Sequence, residues 1–341
     1  MKITTVGIDL AKNVFQVHGV DERGHVMLKK PLKRDQMLDY FANLPACLIG
    51  MEACGGAHYW ARQLSQLGHE VRLISPQFVK PYVKGNKHDA ADAAAICEAV
   101  SRPHMRFVPV KTEDQQAILA VHRVRDGFVK ARTAVANQIR GLLSEFGLVL
   151  PQGIQILRHR LSELLDDATH ELPELFRTLI RSLYEHFKTL DQQVQEHEVV
   201  LLNWHKNHAD SQLLETIPGI GPITATALVA SIGDIHAYEN SRQLSAWIGL
   251  VPKQHSSGGK TLLQGISKRG DVYLRTLLIH GARAVVRAKG YKPDADTWLT
   301  RMTQRRPANV VAVAQANKTA RIVWAVLTRK EAYQAPEAQA A

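Results

Sequence analysis

Residues 3–20 read ITTVGIDLAKNVFQVHGV, and this stretch decides how the N-terminal part of the chain folds. Apolar residues alternate with small or polar ones on both sides of the LAKN segment, as they do in half-buried β-strands. The segment DERG at 21–24 is typical of a turn, and HVMLKKPL at 25–32 predicts a third strand. The pattern therefore predicts that a sheet begins with a strand and an antiparallel hairpin.

Strand and helix patterns then alternate as far as residue 110. Strands are predicted at 47–53, 70–76 and 106–110, and helices at 34–43, 57–67 and 89–100. A three-stranded start followed by alternating helices and strands is typical of an α/β domain with a mixed sheet. We expect this domain to span residues 1–112.

Residues 113–210 have a mainly helical pattern. Spacings of four and three separate a series of apolar residues that form a heptad seam, with Leu201 in phase: Phe176, Ile180, Leu183, Phe187, Leu190 and Val194. This seam predicts a coiled coil or a helical hairpin arm. A long helix packed on its own domain explains the same spacing.

The remaining third, residues 211–330, is also predicted to be mainly helical, and residues 331–341 to be a flexible tail. The segment TIPGIGPITATALVASIG at 216–233 resembles a helix-hairpin-helix element. Further helices are predicted near 271–289 and 307–329, and a loop at 251–267. The turn glycines Gly219 and Gly221 are candidates for contacts to a nucleic-acid phosphate, although the same turn can be purely structural.

Charge and composition limit the function classes. The 341 residues contain 43 Lys and Arg against 32 Asp and Glu, a net charge of +11, so a polyanionic partner, above all nucleic acid, is expected. We find no apolar run long enough to cross a membrane, no signal-peptide pattern and no paired-cysteine spacing among the three cysteines. These features predict a cytoplasmic protein with no membrane partner.

Four carboxylates are candidates for one metal site. Asp9 lies in an apolar strand and Glu52 ends another, and Asp89 and Asp92 lie three apart at the start of a helix, so both point from one face. Hard oxygen ligands suit Mg²⁺, with Mn²⁺ as a substitute. Taken singly, the acids have simpler explanations, since Asp89 could cap its helix and Asp9 could end its strand.

Basic residues are concentrated in the C-terminal third. Between 253 and 289 eight Lys and Arg face one acid. The candidates for contacts to nucleic acid in this region are Lys253, Lys260, Lys268, Arg269 and Arg275. Lys84, Lys87, Arg123 and Arg125 are further candidates, for which a plain solvated surface is an equal alternative.

The segment HSSGGK at 255–260 lies within this basic third. A phosphate-binding P-loop would need glycine where Gln254 stands, so a nucleotide loop is excluded. A plain Gly/Ser loop is one explanation. The other is a nucleophile, because the hydroxyls of Ser256 and Ser257 are flanked by permissive glycines and by basic side chains that could neutralise a phosphate.

Taken together, the motifs resemble a known family. A strand Asp, a second strand Glu and a helical Asp pair resemble the ribonuclease H-like, RuvC-like nucleases. GIDLAK, GMEACG and KHDAAD, together with IPGIGPITA, WIGLVP and SSGG…ISKRGDVYLR, resemble the DEDD-type transposases of insertion-sequence family 110, in particular its 1111 subgroup. The likeness extends over nearly the whole chain.

The resemblance implies a DNA recombinase of an insertion sequence, guided by a structured bridge RNA that pairs with donor and target DNA. It implies that Asp9, Glu52, Asp89 and Asp92 bind the metal and that Ser257 forms a covalent phosphoserine, with Ser256 as the open alternative. It also implies a composite site built by two subunits, a dimer-to-tetramer assembly, and association with the nucleoid. The alternatives are a RuvC-like endonuclease or junction resolvase that uses activated water, and a non-catalytic nucleic-acid scaffold.

Overall fold

A computed structural model describes residues 2–84, 88–166, 172–290 and 298–335 of the chain. It divides into two compact units, described in turn below. Residues 1–113 with 232–239 form unit 1, and residues 114–231 with 240–341 form unit 2.

Unit 1 is a mixed α/β fold. Its strands are β1 (Thr5–Asp9), β2 (Val14–Val20), β3 (Val26–Lys33), β4 (Leu48–Glu52), β5 (Glu70–Ile74) and β6 (Phe107–Val108), and its helices are α1 (Met37–Ala42), α2 (Ala57–Gln66), α3 (Pro76–Val79) and α4 (Asp89–Val100). The strands form one sheet in the order β3-β2-β1-β4-β5-β6. The antiparallel β1-β2-β3 start and the following strands confirm the predicted N-terminal sheet.

The two faces of the sheet carry different layers. Residues that alternate along the strands, such as Val6, Ile8 and Met51, are buried in a core shared with α1 and α2. The opposite face lies under α4, where Leu48 and Ile74 pack with Ile96. Asp9 follows Ile8 at the end of β1, and Glu52 follows Met51 at the end of β4. Because side chains alternate along a strand, Asp9 and Glu52 face the α4 side of the sheet.

Helix α4 lies very close to the sheet because two strand residues have no side chain. A Cβ atom at Gly7 of β1 would come within 2.2 Å of the Ala93 carbonyl oxygen and 2.4 Å of the Cys97 nitrogen. A Cβ at Gly50 of β4, which pairs with Gly7, would lie 2.8 Å from the Val100 side chain. The middle of α4, at Ala93 and Cys97, is therefore held at backbone distance from β1.

Unit 2 is mainly helical. Its helices are α5 (Glu113–Ser144, with Glu113 itself in unit 1), α6 (Ile154–Asp166), α7 (Glu174–Lys206), α8 (Ala209–Glu215), α9 (Pro222–Ile232), α10 (Ser241–Ile248), α11 (Val272–Gly290), α12 (Trp298–Arg305) and α13 (Ala308–Arg329), and its strands are β7 (Pro252–Ser257) and β8 (Lys260–Ile266). In the described part of the chain, no helix is both long and apolar enough to span a bilayer.

The heptad seam of α7 packs within its own chain. Phe176, Ile180 and Phe187 are buried in one core with α5 and α6. Across the same three helices, the buried Asp191 of α7 forms ion pairs with Arg132 and Arg158. This burial supports the interpretation of the seam as a long helix packed on its own domain.

The predicted loop at 251–267 is wrong: the segment forms the antiparallel hairpin of β7 and β8. Gly258 and Gly259 have φ values of +56° and +77°, and positive φ at both central residues is what a two-residue type I′ turn needs. The polar sequence shows no strand alternation because nearly every residue of the hairpin is exposed. Helix α12 was also not predicted.

A buried histidine joins three helices of unit 2. His122 of α5 lies 3.0 Å from the Thr226 hydroxyl of α9 and 3.1 Å from the Tyr273 hydroxyl of α11. The Thr226 hydroxyl donates to the backbone carbonyls of α9, so it accepts from Nε2, and Nδ1 accepts from Tyr273. Burial, and then the nearby Arg125 charge, lower the pKa of His122 to about 4.

We expect Gly7→Ala to destabilise unit 1 by at least the ~1–3 kcal/mol typical of overpacking, because both close contacts are with backbone atoms of α4. Thermal unfolding followed by circular dichroism measures the change. Gly55→Ala is the control, since a Cβ there has nothing within 4 Å. Equal stability of the two variants would contradict the close packing of α4.

The low pKa of His122 predicts acid sensitivity. The unfolded chain binds a proton near pH 6.5 that the folded chain does not take up until about pH 4, so stability falls as the pH falls between these values. At 1.36 kcal/mol per pH unit the loss is about 3 kcal/mol. The free energy of unfolding in urea is measured at pH 7 and at pH 4.5. Its difference between the two pH values should be smaller for His122→Gln than for the native chain. For the exposed His186→Gln the difference should equal that of the native chain.

Candidate metal centre and serine hairpin

Three of the four predicted acids come together in unit 1. Carboxylate oxygens of Asp9, Asp89 and Asp92 lie within 4.8 Å of one another. Asp9 and Asp92 are half-buried and Asp89 is exposed. Asp9 is the last residue of β1, and the two other acids lie in the first turn of α4.

The fourth acid, Glu52, ends the neighbouring parallel strand. Its carboxylate is not part of the 4.8 Å group, but it is near enough for the charge of Asp92 to act on it. Burial raises the pKa of Glu52, and the negative charge of Asp92 raises it further. The carboxylates of Glu52 and Asp9, after burial, also raise the pKa of the Cys54 thiol, so negative charge accumulates at this end of the sheet.

Local sequence explains why the acids meet. β1 and β4 are parallel and in register at Gly7 and Gly50, so their carboxyl ends lie side by side. The N-cap of α4 is His88, whose Nδ1 accepts a hydrogen bond of 3.1 Å from the Ala90 nitrogen. Asp89 is therefore not the cap, and its carboxylate does not serve as the cap acceptor.

The cluster fits a hard divalent cation. Like charges this close repel one another, and a cation compensates them. Carboxylate oxygens are the ligands that Mg²⁺ and Mn²⁺ prefer. Among the described residues the ligand set is entirely oxygen, since the metal-binding group contains no His or Cys.

The β7-β8 hairpin separates the two candidate serines. Ser257 pairs directly with Lys260, so the hydroxyl and the Lys260 side chain share one face, which His255 also shares. Ser256 pairs with Thr261 on the other face, and its hydroxyl accepts a 2.8 Å hydrogen bond from the Gln254 amide. Ser257 is thus the serine that stands beside a cation.

The root of the hairpin is held rigidly. A Cβ at Gly249 would lie 2.0 Å from the Arg269 carbonyl oxygen, and one at Gly270 would lie 1.9 Å from the Trp247 carbonyl oxygen. The buried Arg275 donates 2.9 Å hydrogen bonds to the carbonyls of Ile248 and Arg269. Arg275, predicted to contact nucleic acid, is 7% exposed and clamps the root of the hairpin.

The Pro-Gly turn between α8 and α9 packs against α11. Gly219 has φ +87°, and a Cβ there would lie 2.8 Å from the Gly281 carbonyl oxygen. A Cβ at Gly281 would lie 1.9 Å from the Gly219 carbonyl oxygen. This backbone contact gives Gly219 a structural role, whereas Gly221 is exposed at the start of α9.

The other predicted basic contacts have different surroundings. Arg125 forms an ion pair with Glu198 at 2.5 Å and its side chain is 15% exposed, so little of it is available to a partner. Lys84 is exposed and lies 3.7 Å from Glu98, and Lys87 lies outside the described residues. The remaining candidates are exposed: Arg123, Lys253, Lys260, Lys268 and Arg269.

The chain is similar to known transposases over nearly its whole length. A DEDD-type transposase profile of insertion sequence IS110 matches residues 6–147, and a profile described as transposase IS116/IS110/IS902 family matches residues 211–296. The chain is 54% identical to a probable family 20 transposase of Pseudomonas aeruginosa, over 98% of this chain and 99% of the relative. It is 47% identical to the transposase for insertion sequence element IS1111A of Coxiella burnetii, over 97% and 91% of the two chains.

A sheet whose strand ends carry clustered acids, followed by a helical part, therefore belongs to a transposase, an enzyme that cuts and transfers DNA strands. The chain is a member of the IS116/IS110/IS902 transposase family. Its likeness to the IS1111A transposase, and at 47% identity to the IS1328 transposase of Yersinia enterocolitica, places it in the 1111 subgroup.

Asp92→Asn should remove metal binding while relieving repulsion. We expect the metal-free variant to be at least as stable as the native chain, and its affinity for Mn²⁺ to fall by at least ~10-fold. The rise of melting temperature with added Mn²⁺ and isothermal titration measure this. Glu98→Gln, on the same helix and paired with Lys84 and Arg102, should bind Mn²⁺ normally. Equal Mn²⁺ affinity of native chain and Asp92→Asn would refute the site.

Proposed function

We propose that this transposase cuts and rejoins DNA through a covalent bond between Ser257 and the scissile phosphate. The carrying observation is the hairpin register, which places the Ser257 hydroxyl directly opposite Lys260 on an exposed face. A serine alcohol needs help to lose its proton, and a phosphodiester needs its charge neutralised. The ammonium group of Lys260, beside the Ser257 hydroxyl, would neutralise the charge of the phosphodiester.

In this step the Ser257 oxygen forms a bond to phosphorus while the bond from phosphorus to the leaving sugar oxygen breaks. The hydroxyl proton is lost, and the leaving oxygen gains one. Rejoining reverses the step with a sugar hydroxyl of a second strand as the attacking group. His255 lies on the same face and is a candidate to carry the proton.

The acid cluster completes the proposal. Asp9, Glu52, Asp89 and Asp92 would hold Mg²⁺, which stabilises negative charge on phosphate oxygens when bound. The close spacing of three of these carboxylates supports this assignment. Since the acids belong to unit 1 and Ser257 to unit 2, we propose that subunits of a dimer or tetramer supply them to one composite site.

We further propose that a structured bridge RNA selects donor and target DNA. The support is the family resemblance and the net charge of +11, which suits two polyanionic partners. Exposed cations such as Lys253, Lys268 and Arg269 are candidates for backbone contacts. Sequencing of RNA that co-purifies with the chain tests this part, and the absence of any enriched RNA would argue against it.

The serine proposal is tested by trapping. Native protein, purified with the RNA that accompanies it and incubated with donor DNA and Mg²⁺, should give a covalent protein–DNA adduct on denaturing gels, and Ser257→Ala should give none. Ser256→Ala is the matched control, one residue away on the opposite face, and should retain the adduct.

Lys260→Ala should slow adduct formation by about 10-fold or more, because it removes the neutralising charge. DNA cleavage by Ser257→Ala at the native rate would instead favour a RuvC-like nuclease that uses activated water. Normal folding without cleavage in every variant, native chain included, would leave a nucleic-acid scaffold as the function.

A further inference from the structure

A large apolar groove lies within unit 2, beside the root of the serine hairpin. Its cavity volume is about 1130 Å³, and it lies between the α13 helix and the end of β8. The floor is apolar, with Val313, Ala314 and Ile322 of α13 facing Leu250 and Ile266. Pockets for drug-sized ligands have volumes of roughly 300–1,000 Å³, so this groove lies slightly above the upper end of that range.

The rim of the groove is cationic. Lys318 and Arg321 of α13 are exposed at its edge, and none of the described residues that line it is acidic. Lys318 lies 4.9 Å from the ring centre of Trp298, which is half-buried in the same wall. An apolar floor with an aromatic ring and a positive rim is the combination that binds unpaired nucleotides, with bases stacked inside and phosphates outside.

Duplex DNA does not fit this surface equally well. In a duplex the flat faces of the bases are stacked on one another, so an apolar floor gains nothing from it, while the rim cations would still meet its phosphates. Amide side chains that can pair with base edges also line the groove: Gln264, Asn309 and Asn317. Asn317 is fixed by a 3.0 Å hydrogen bond from its amide nitrogen to the Leu250 carbonyl.

We propose that this groove binds single-stranded DNA next to the cleavage point. The hairpin itself forms one wall, through Pro252, Gln264 and Gly265. Along β7, Ser257 lies five residues beyond Pro252, which is about 17 Å at the rise of a strand, or about five stacked nucleotides. A strand held at Ser257 therefore reaches the groove within a few nucleotides. The groove receives bases that become unpaired when the strands are exchanged.

The experiment measures binding of the full-length protein to a fluorescent 20-nucleotide oligothymidine, to a duplex of equal length and to oligouridine. Trp298→Ala should weaken oligothymidine binding by about 5- to 150-fold, the range for loss of one stacked base. Trp298→Phe should retain most of the affinity, and both variants should bind duplex within about 2-fold of the native chain. In the native chain, 5-iodouracil in the oligonucleotide should photo-crosslink to peptides that contain Trp298 or Arg321.

The salt dependence tests the rim. Arg321→Ala should reduce the slope of log affinity against log salt by about 0.7 for oligothymidine, the loss of one phosphate contact. Arg329→Ala is the matched control, since Arg329 is an exposed cation of the same helix outside the groove. It should leave both the slope and the crosslinks unchanged.

Three results would overturn the proposal. The first is that Trp298→Ala and Arg321→Ala bind oligothymidine as tightly as the native chain. The second is that these variants lose the same affinity for single-stranded and for duplex DNA. The third is that the substitutions weaken binding of oligouridine but not of oligothymidine. If the variants differ from the native chain in how their oligomeric mass depends on protein concentration, but not in DNA affinity, the groove would instead bind a second copy of the chain. Ser257→Ala should bind oligothymidine like the native chain. The binding measurements therefore test the groove even if the serine proposal fails.

Discussion

The contact of α4 with the sheet at Gly7 and Gly50 is the constraint on which the candidate metal centre depends. The carboxylates of strand β1 and of helix α4 can meet only if the helix axis comes unusually close to the strand. Hydrogen in place of a side chain allows that approach, and the buried residues Ile96 and Val100 then fix the helix in place. The acids are thus positioned by two glycines and by buried apolar side chains, none of which can bind a metal ion through its side chain.

The same device recurs in unit 2. Gly249 against Arg269, Gly270 against Trp247, and Gly219 against Gly281 all bring backbone to backbone where any side chain would intervene. In each case the partners are distant in sequence. Close packing of main chain lets Arg275 reach two carbonyl oxygens at once, and this anchors the strands that carry the serine.

The N-terminal sheet and the approach of Asp9, Asp89 and Asp92 to one another could be predicted from the sequence because both depend on local patterns. A helical spacing of three places Asp89 beside Asp92, whereas the side-by-side strand ends of Asp9 and Glu52 depend on a register that the sequence does not contain. The hairpin could not be predicted in this way, since a ribbon exposed on both faces has no apolar alternation. The heptad seam of α7 indicated which face is buried but not its partners, because periodicity is a property of one helix alone.

The family resemblance favoured Ser257 over Ser256, but the residues of the segment did not themselves distinguish the two serines. Both have a hydroxyl, glycine neighbours and nearby cations. Only the register, set by the two-residue turn, assigns Lys260 to one of them and Thr261 to the other. The structural roles of Arg275 and Gly219 could not be predicted for a related reason. Their partners are backbone carbonyl oxygens, which every residue has, so the sequence does not show which of them lie nearby.

The exposed hairpin has a mechanical consequence. From Pro252 to Ser257 the ribbon extends about 17 Å, and two strands alone have little stiffness of their own. A bend of about 5° in the ribbon just beyond its fixed root moves the Ser257 hydroxyl by about 1.5 Å, a displacement large enough to slow a reaction that depends on precise positioning. In the mechanism proposed above, contacts made near the tip of the ribbon would therefore set the position of the Ser257 hydroxyl.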